Sequence, residues 1–169
     1  MEFKIGDHVV HPQFGLGHVV ILSEREFTPG VKKMYYEIAI FDGSIIWVAE
    51  DLSISGVRRL AKRTALANCR KILEARPSPL TVDARYRQSE QATRLRQGTI
   101  QTQCEVVRDL FAYGEHKSLY GTIGVFFKAV RNVLCQEWSV VQGTTLAEAE
   151  GEIGLLLEKS SATLKSSKN

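Results

Sequence analysis

The sequence is poor in cysteine, proline, tryptophan and methionine, and each scarcity excludes something. Three cysteines, Cys69, Cys104 and Cys135, are odd in number and far apart, so they make no disulfide framework and suit a reducing compartment. Each falls on the apolar side of a predicted helix, which makes it a core residue before a metal ligand. The four prolines fall at turns and stops: Pro12 and Pro29 between predicted strands, Pro77 and Pro79 between predicted helices. No apolar run is long enough to span a bilayer. The opening Met1-Glu2-Phe3-Lys4 lacks the charged-then-apolar form of a secretory signal, so a cytoplasmic protein is expected. No internal repeat is present, and there is no Walker loop, dinucleotide fingerprint or nucleophile elbow.

What is present falls into two parts. From Phe3 to about residue 52 the chain reads as four or five short strands. Val9-Val10 and Val19-Val20 are β-branched pairs on either side of Pro12, Gly15 and Gly17, where the glycines would allow the chain to reverse at positive φ. A turn at Thr28-Pro29-Gly30 and a hairpin signal at Asp42-Gly43 separate the later strands, including Ser44–Val48. Beyond Gly56-Val57-Arg58 the period changes from two to the helical 3.6. Helices are expected near 60–75, 82–96, 100–113 and 119–142, and after the capping box Thr145-x-x-Glu148. Thr81 is the expected N-cap of the second, most polar helix. The fold class is therefore α+β in two domains. A small Tudor/SH3-like β-barrel (1–56) precedes an all-α bundle of about five helices (57–160), and residues 161–169 form a flexible tail.

Charge is unevenly distributed. Between Val57 and Gln97 eleven basic residues face three acids, a local charge of +8; the chain total is +3, so the remainder carries −5. A concentrated positive field suits a polyanion such as nucleic acid, and a solvated helical surface is the plainer alternative. Catalysis finds little to work with. His8, His11 and His18 crowd the first hairpin, and His8 and His18 can meet across strands, but no Cys or carboxylate completes a metal spacing. A zinc hydrolase on those three histidines is the weakest reading. Asp42, Glu50 and Asp51 read as solvated turn residues. No cofactor is expected, and the chain reads as a binding protein rather than an enzyme.

The opening Phe3-Lys4-x-Gly6-Asp7-x-Val9-Val10-x-Pro12-x-x-Gly15-x-Gly17-x-Val19 resembles the start of CarD/CdnL-type bacterial transcription factors. The likeness continues at Tyr35-Tyr36, Gly56-Val57-Arg58, Arg85-Tyr86-Arg87 and Glu105-Val106-Val107-Arg108-Asp109-Leu110. The resemblance implies a non-enzymatic regulator, cytoplasmic and nucleoid-associated through RNA polymerase; a monomer is expected. Its N-terminal domain would bind the polymerase β subunit, partly by strand pairing. Its helical domain would touch promoter DNA at the upstream edge of the bubble, weakly and through phosphates, and stabilise the open complex. By the same resemblance Arg25 and Trp47 fall at or next to polymerase-binding positions, and Arg85 and Arg87 at DNA-facing ones, with Tyr86 between them as a packing residue. Val82 stands where the family places a wedge tryptophan. Ala84 replaces a common basic residue, and Gly121-Thr122-Ile123-Gly124 replaces a charged cluster. A polymerase-binding or other protein-interaction adaptor without DNA activity is the alternative.

Overall fold

The computed structural model describes residues 2–51 and 55–167. Five antiparallel strands form one sheet in the order β4-β3-β2-β1-β5: β1 (His8–His11), β2 (Gly15–Thr28), β3 (Val31–Ile40), β4 (Ile45–Ala49) and β5 (Arg58–Arg59). Five helices follow: α1 (Leu66–Glu74), α2 (Ala84–Gln97), α3 (Ile100–His116), α4 (Gly121–Gln142) and α5 (Leu146–Ser166). This is the α+β arrangement read from the sequence. The strands are not all short, since β2 has 14 residues and β3 has 10. The sheet also continues past the change of period, because Arg58 and Arg59 pair with Val10 and Val9.

The register of β2 against β3 shifts twice, between Val19 and Ile21 and again between Arg25 and Thr28 near the hairpin. Val19 pairs with Ile38, but the next pair is Ile21 with Glu37, so Val20 is an extra, bulged residue. Val19 is buried, whereas Ile21 is exposed. The bulge therefore inverts which residues face inward and bends the strand. Gly15 turns the first hairpin at φ 113°, as expected. Gly17 has no positive φ and lies in the strand, where a Cβ would sit 2.4 Å from the Ala39 carbonyl oxygen. Its role is close approach to β3 rather than chain reversal, which corrects the reading of both glycines as turn residues.

One face of the sheet closes over Phe3, Val9, Val19, Tyr36, Ile38, Val48 and Val57. On the other face Val10 and Leu16 pack against Val133 of α4 with Leu60 beside them. A buried ion pair reinforces that joint. Arg58 donates to both oxygens of Glu137 at 2.7 Å and to Gln103 Oε1 at 3.0 Å, and the Ala61 N–H donates to Glu137 Oε1 at 2.9 Å. Gln103 in turn donates to the Val130 carbonyl. Gly56 (φ +75°) lies so close to α2 that a Cβ there would meet the Arg96 Cα at 2.8 Å.

The helical core follows the predicted apolar stripes. Leu66, Cys69 and Leu73 of α1 pack with Ile100, Cys104, Val107 and Leu110 of α3, Val130, Leu134 and Trp138 of α4, and Ile153 and Leu157 of α5. All three cysteines are buried. Three local expectations change. Asp83, not Thr81, caps α2, accepting from the Arg85 N–H at 2.9 Å. Leu146, whose apolar side chain would suit the buried side of α5, is exposed. The stretch expected to form a frayed tail is helical through Ser166, because Ser160 and Ser161 are buried and Ser160 Oγ donates to the Ala75 carbonyl beyond the end of α1. Among the described residues no helix is long and apolar enough to cross a membrane.

Candidate functional site: a bare sheet flank and a cationic helix tip

The first candidate surface follows from the register of β2, β3 and β4. Glu37 is the cross-strand partner of both Ile21 and Trp47, and Lys33 is the partner of Arg25. Side chains opposite one another share a face, so Ile21, Arg25, Tyr35, Glu37, Ile45 and Trp47 line one flank. Arg25 Nη2 lies 3.6 Å from Glu37 Oε2. Phe27 stands edge-on to Tyr35 with centroids 4.8 Å apart, and 6.0 Å from the Trp47 ring. Trp47 is 44% exposed, so it belongs to this flank and not to the sheet's core. Arg25 and Trp47, read separately from the sequence, thus converge around Glu37. Phe27, Tyr35 and Glu37 were not read as members, because the bulge at Val20 hides the alternation that would group them. Beside the flank, β4 ends the sheet. An edge strand offers one row of backbone N–H and C=O groups to an incoming strand.

The second candidate surface is the start of α2. Val82 is 91% exposed, the most exposed of the large apolar side chains among the described residues. It is held there by Arg87, whose Nε donates to the Thr81 carbonyl at 3.0 Å and whose Nη2 donates to the Val82 carbonyl at 2.8 Å. The same guanidinium stacks on the Tyr113 ring of α3, 4.7 Å from its centroid. Thr81 Oγ1 is hydrogen-bonded to Glu90. Arg85 is exposed and doubly bonded to Asp83, and that pairing with the backbone N–H of Arg85 lowers the Asp83 pKa. Tyr86, expected to pack, is exposed under the Arg85 guanidinium. Val82, Arg85 and Tyr86 therefore form the tip, and Arg87 lies behind it with its donors engaged.

The basic middle of the chain looks different once folded. Arg58 is bound to Glu137, Arg59 to Asp7, Arg70 to Glu152, and Arg94 to Glu105 and Asp109. The acids that answer these four arginines lie outside the segment, so about half of the local +8 is met within the protein. Near the tip is a cleft of about 420 Å³, lined by Pro77, Pro79, Leu80, Tyr113, Leu164, the buried Asp109 and three basic residues, Arg76, His116 and Lys117. None of those three has a carboxylate within ion-pair distance among the described residues. Sequence reading missed them as a group because their proximity depends on the packing of α1, α3 and α5.

The histidines separate. His8 and His18 are paired across β1 and β2. His11 turns inward, and its Nδ1 accepts from the N–H groups of Gln13 and Phe14 at 3.2 Å each. Among the described residues no three His, Cys, Asp or Glu side chains converge as a metal cluster. Asp42 is a turn residue as read, accepting from Ser44. Burial pushes the His11 pKa down to about 4, and protonating Nδ1 would also remove the acceptor that organises the turn. The unfolded histidine takes a proton near pH 6.5, so this contribution to stability is complete above that value. It is lost progressively as pH falls from there towards the folded value, and is gone below it. Urea unfolding from pH 7 to 5 should show a loss approaching roughly 2 kcal/mol, before most carboxylates titrate, and His11→Asn should flatten the slope.

The protein thus combines a sheet that has a bare aromatic flank and a free edge with helices that carry a cationic tip. Comparison with known families narrows the class. The CarD-like/TRCF RID domain model matches residues 3–60, ending just past β5, and the CarD C-terminal domain model matches residues 68–154. The chain belongs to the CarD-like family of transcription factors. It is similar to a Bacillus subtilis (strain 168) protein described as "Putative transcription factor YdeB", at 27% identity over 145 residues, covering 85% of this chain and 94% of that one.

Proposed function

We propose that this chain regulates bacterial transcription by docking on the RNA polymerase β subunit through the bare sheet flank and the β4 edge. From there the α2 tip meets promoter DNA upstream of the bubble and alters the lifetime of the open complex. The observation that carries the reading is the convergence of Arg25 and Trp47 on one exposed flank beside an edge strand. A partner strand added to β4 would supply main-chain hydrogen bonds, and Trp47 would anchor the register. The chain would act as a cytoplasmic monomer, reaching the nucleoid through polymerase. Trp47→Ala should weaken retention of a polymerase β fragment by the full chain at least about tenfold, with the thermal midpoint nearly unchanged. Undiminished retention by both Trp47→Ala and Arg25→Glu would overturn the docking surface.

On the DNA side the contact is electrostatic and small. Arg85 and the free cations Arg76 and Lys117 face phosphates, while Val82 presents far less area than an aromatic wedge. Arg85→Ala should reduce the slope of log affinity against log salt by about one. Arg87→Ala should weaken binding without changing that slope, since its donors hold the Thr81 and Val82 carbonyls. Equal slope losses for the two would place Arg87 on a phosphate.

The adaptor reading, without DNA activity, is favoured by one observation: Arg58, Arg59, Arg70 and Arg94 are consumed by internal carboxylates. Open-complex lifetime with Val82→Trp and cognate polymerase separates the two. A longer lifetime supports the DNA role, and no change with polymerase binding intact supports the adaptor.

A further inference from the structure

We propose that His8 and His18 form a two-imidazole chelating site for a divalent transition cation, Cu2+ above all, on the sheet face that carries Trp47. The argument begins with register. His8 is the direct cross-strand partner of His18, and Val9 of Gly17. The Val19 N–H donates to the Asp7 carbonyl at 3.0 Å, which makes Asp7 and Val19 the hydrogen-bonded pair. Pair types alternate along an antiparallel ladder, so His8 and His18 occupy a non-hydrogen-bonded pair, where side chains stand closest. Both histidines are exposed, and their ring centroids are 6.5 Å apart with planes inclined at 57°. Phe41 meets the His8 ring edge-on at 6.2 Å and limits its rotation.

The backbone beneath is well fixed. Val9, Val10, Leu16 and Val19, the neighbours of the two histidines along β1 and β2, are all buried. A cation about 2.0–2.1 Å from one nitrogen of each ring therefore needs only the two side chains to swing together, by roughly 1 Å, with no movement of the strands. Neutral imidazoles suit borderline cations, and the ordinary affinity order puts Cu2+ above Ni2+ and Zn2+. Water would fill the remaining positions. His11 points to the opposite face and caps its own turn, so the site is bidentate. The same face continues through Ala39, the partner of His18, to Ile45 at the edge of the bare flank. A bound cation would thus clamp β1 to β2 and add positive charge beside that flank. The site itself uses only the sheet and stands independently of the polymerase reading.

The test is titration of the untagged full chain with Cu2+ alone, near pH 7.5, by calorimetry and electron paramagnetic resonance. One cation per chain should bind, with two equatorial imidazole nitrogens in the spectrum. Either His8→Asn or His18→Asn should weaken binding at least tenfold and leave at most one imidazole nitrogen. His116→Asn should bind as the wild type does. Both strand histidines are exposed, so thermal midpoints in chelator should agree among all four proteins. Excess Ni2+ should raise the midpoint of the wild type but not of the strand variants. A single-imidazole spectrum, binding that survives both strand substitutions, or binding lost only with His116→Asn would each overturn the site.

Discussion

Replacing Glu137 by alanine is expected to cost about 3–5 kcal/mol, the usual penalty for removing one partner of a buried ion pair. The carboxylate is fully buried, whereas the Arg58 side chain keeps 16% of its surface. Without Glu137 the Arg58 guanidinium keeps only Gln103 as a side-chain partner, and the Ala61 N–H loses its acceptor. The missing volume lies beside Val133, so the sheet-to-bundle joint loosens as well. For a chain of this length the thermal midpoint should fall by roughly 10 °C. The double variant Arg58→Met with Glu137→Leu should recover most of the loss, because an apolar pair of similar volume leaves no stranded charge. Chemical unfolding of the wild type, Arg58→Met, Glu137→Leu and the double variant measures the coupling. A single-variant loss below about 1 kcal/mol would mean that the pair is solvated in solution.

Gly17→Ala should be comparably severe. Its new methyl would sit 2.4 Å from the Ala39 carbonyl oxygen and 3.1 Å from the Ile38 side chain. The carbonyl belongs to the backbone of β3 and has no rotamer to adopt, so the two strands must separate locally. Overpacking typically costs about 1–3 kcal/mol, and the backbone clash places this variant at or above the upper end. A turn glycine at the other end of β2 provides a control of a different kind. Gly30, at the β2–β3 hairpin, has φ +77° and nothing within 4 Å of a Cβ. Gly30→Ala should therefore show conformational strain alone, of order 1 kcal/mol. If both variants unfold at the same urea concentration, close approach is not what reserves position 17 for glycine.

Much of the architecture could be read from local pattern. The 3.6-residue spacing of Ile100, Cys104, Val107 and Leu110, and of Phe126, Val130, Val133 and Leu134, identified α3 and α4 and their buried sides. Thr145-x-x-Glu148 marked the start of α5; α4 ends at Gly143, which takes the left-handed conformation. Non-local partners escaped the reading. Arg58 and Glu137 are 79 positions apart, and Arg70 and Glu152 are 82 apart, so a segment that looked like a free cationic field is partly neutralised by residues from elsewhere. Ser160 and Ser161 looked like a polar tail because their burial depends on the end of α1. Arg25 and Trp47 were found through resemblance, and their shared flank required the bulge at Val20, which no single-strand pattern reveals. Arg87 is placed at a DNA-facing position by resemblance, which carries no information about its local partners. The carbonyls that capture it belong to a turn whose path is set by Pro77 and Pro79.

The joints at Arg58–Glu137, at Val133 against Val10 and Leu16, and at Gly56 against α2 make the chain behave as a set square, with the sheet as one arm and the α2 tip on the other. A partner that grips one arm thereby chooses the angular phase at which the other arrives. Successive base pairs of a duplex turn by about 35°. On the transcription reading, a promoter whose bubble edge is shifted by one or two steps would present a different side of the double helix to Val82. Response to spacing would then be periodic rather than graded.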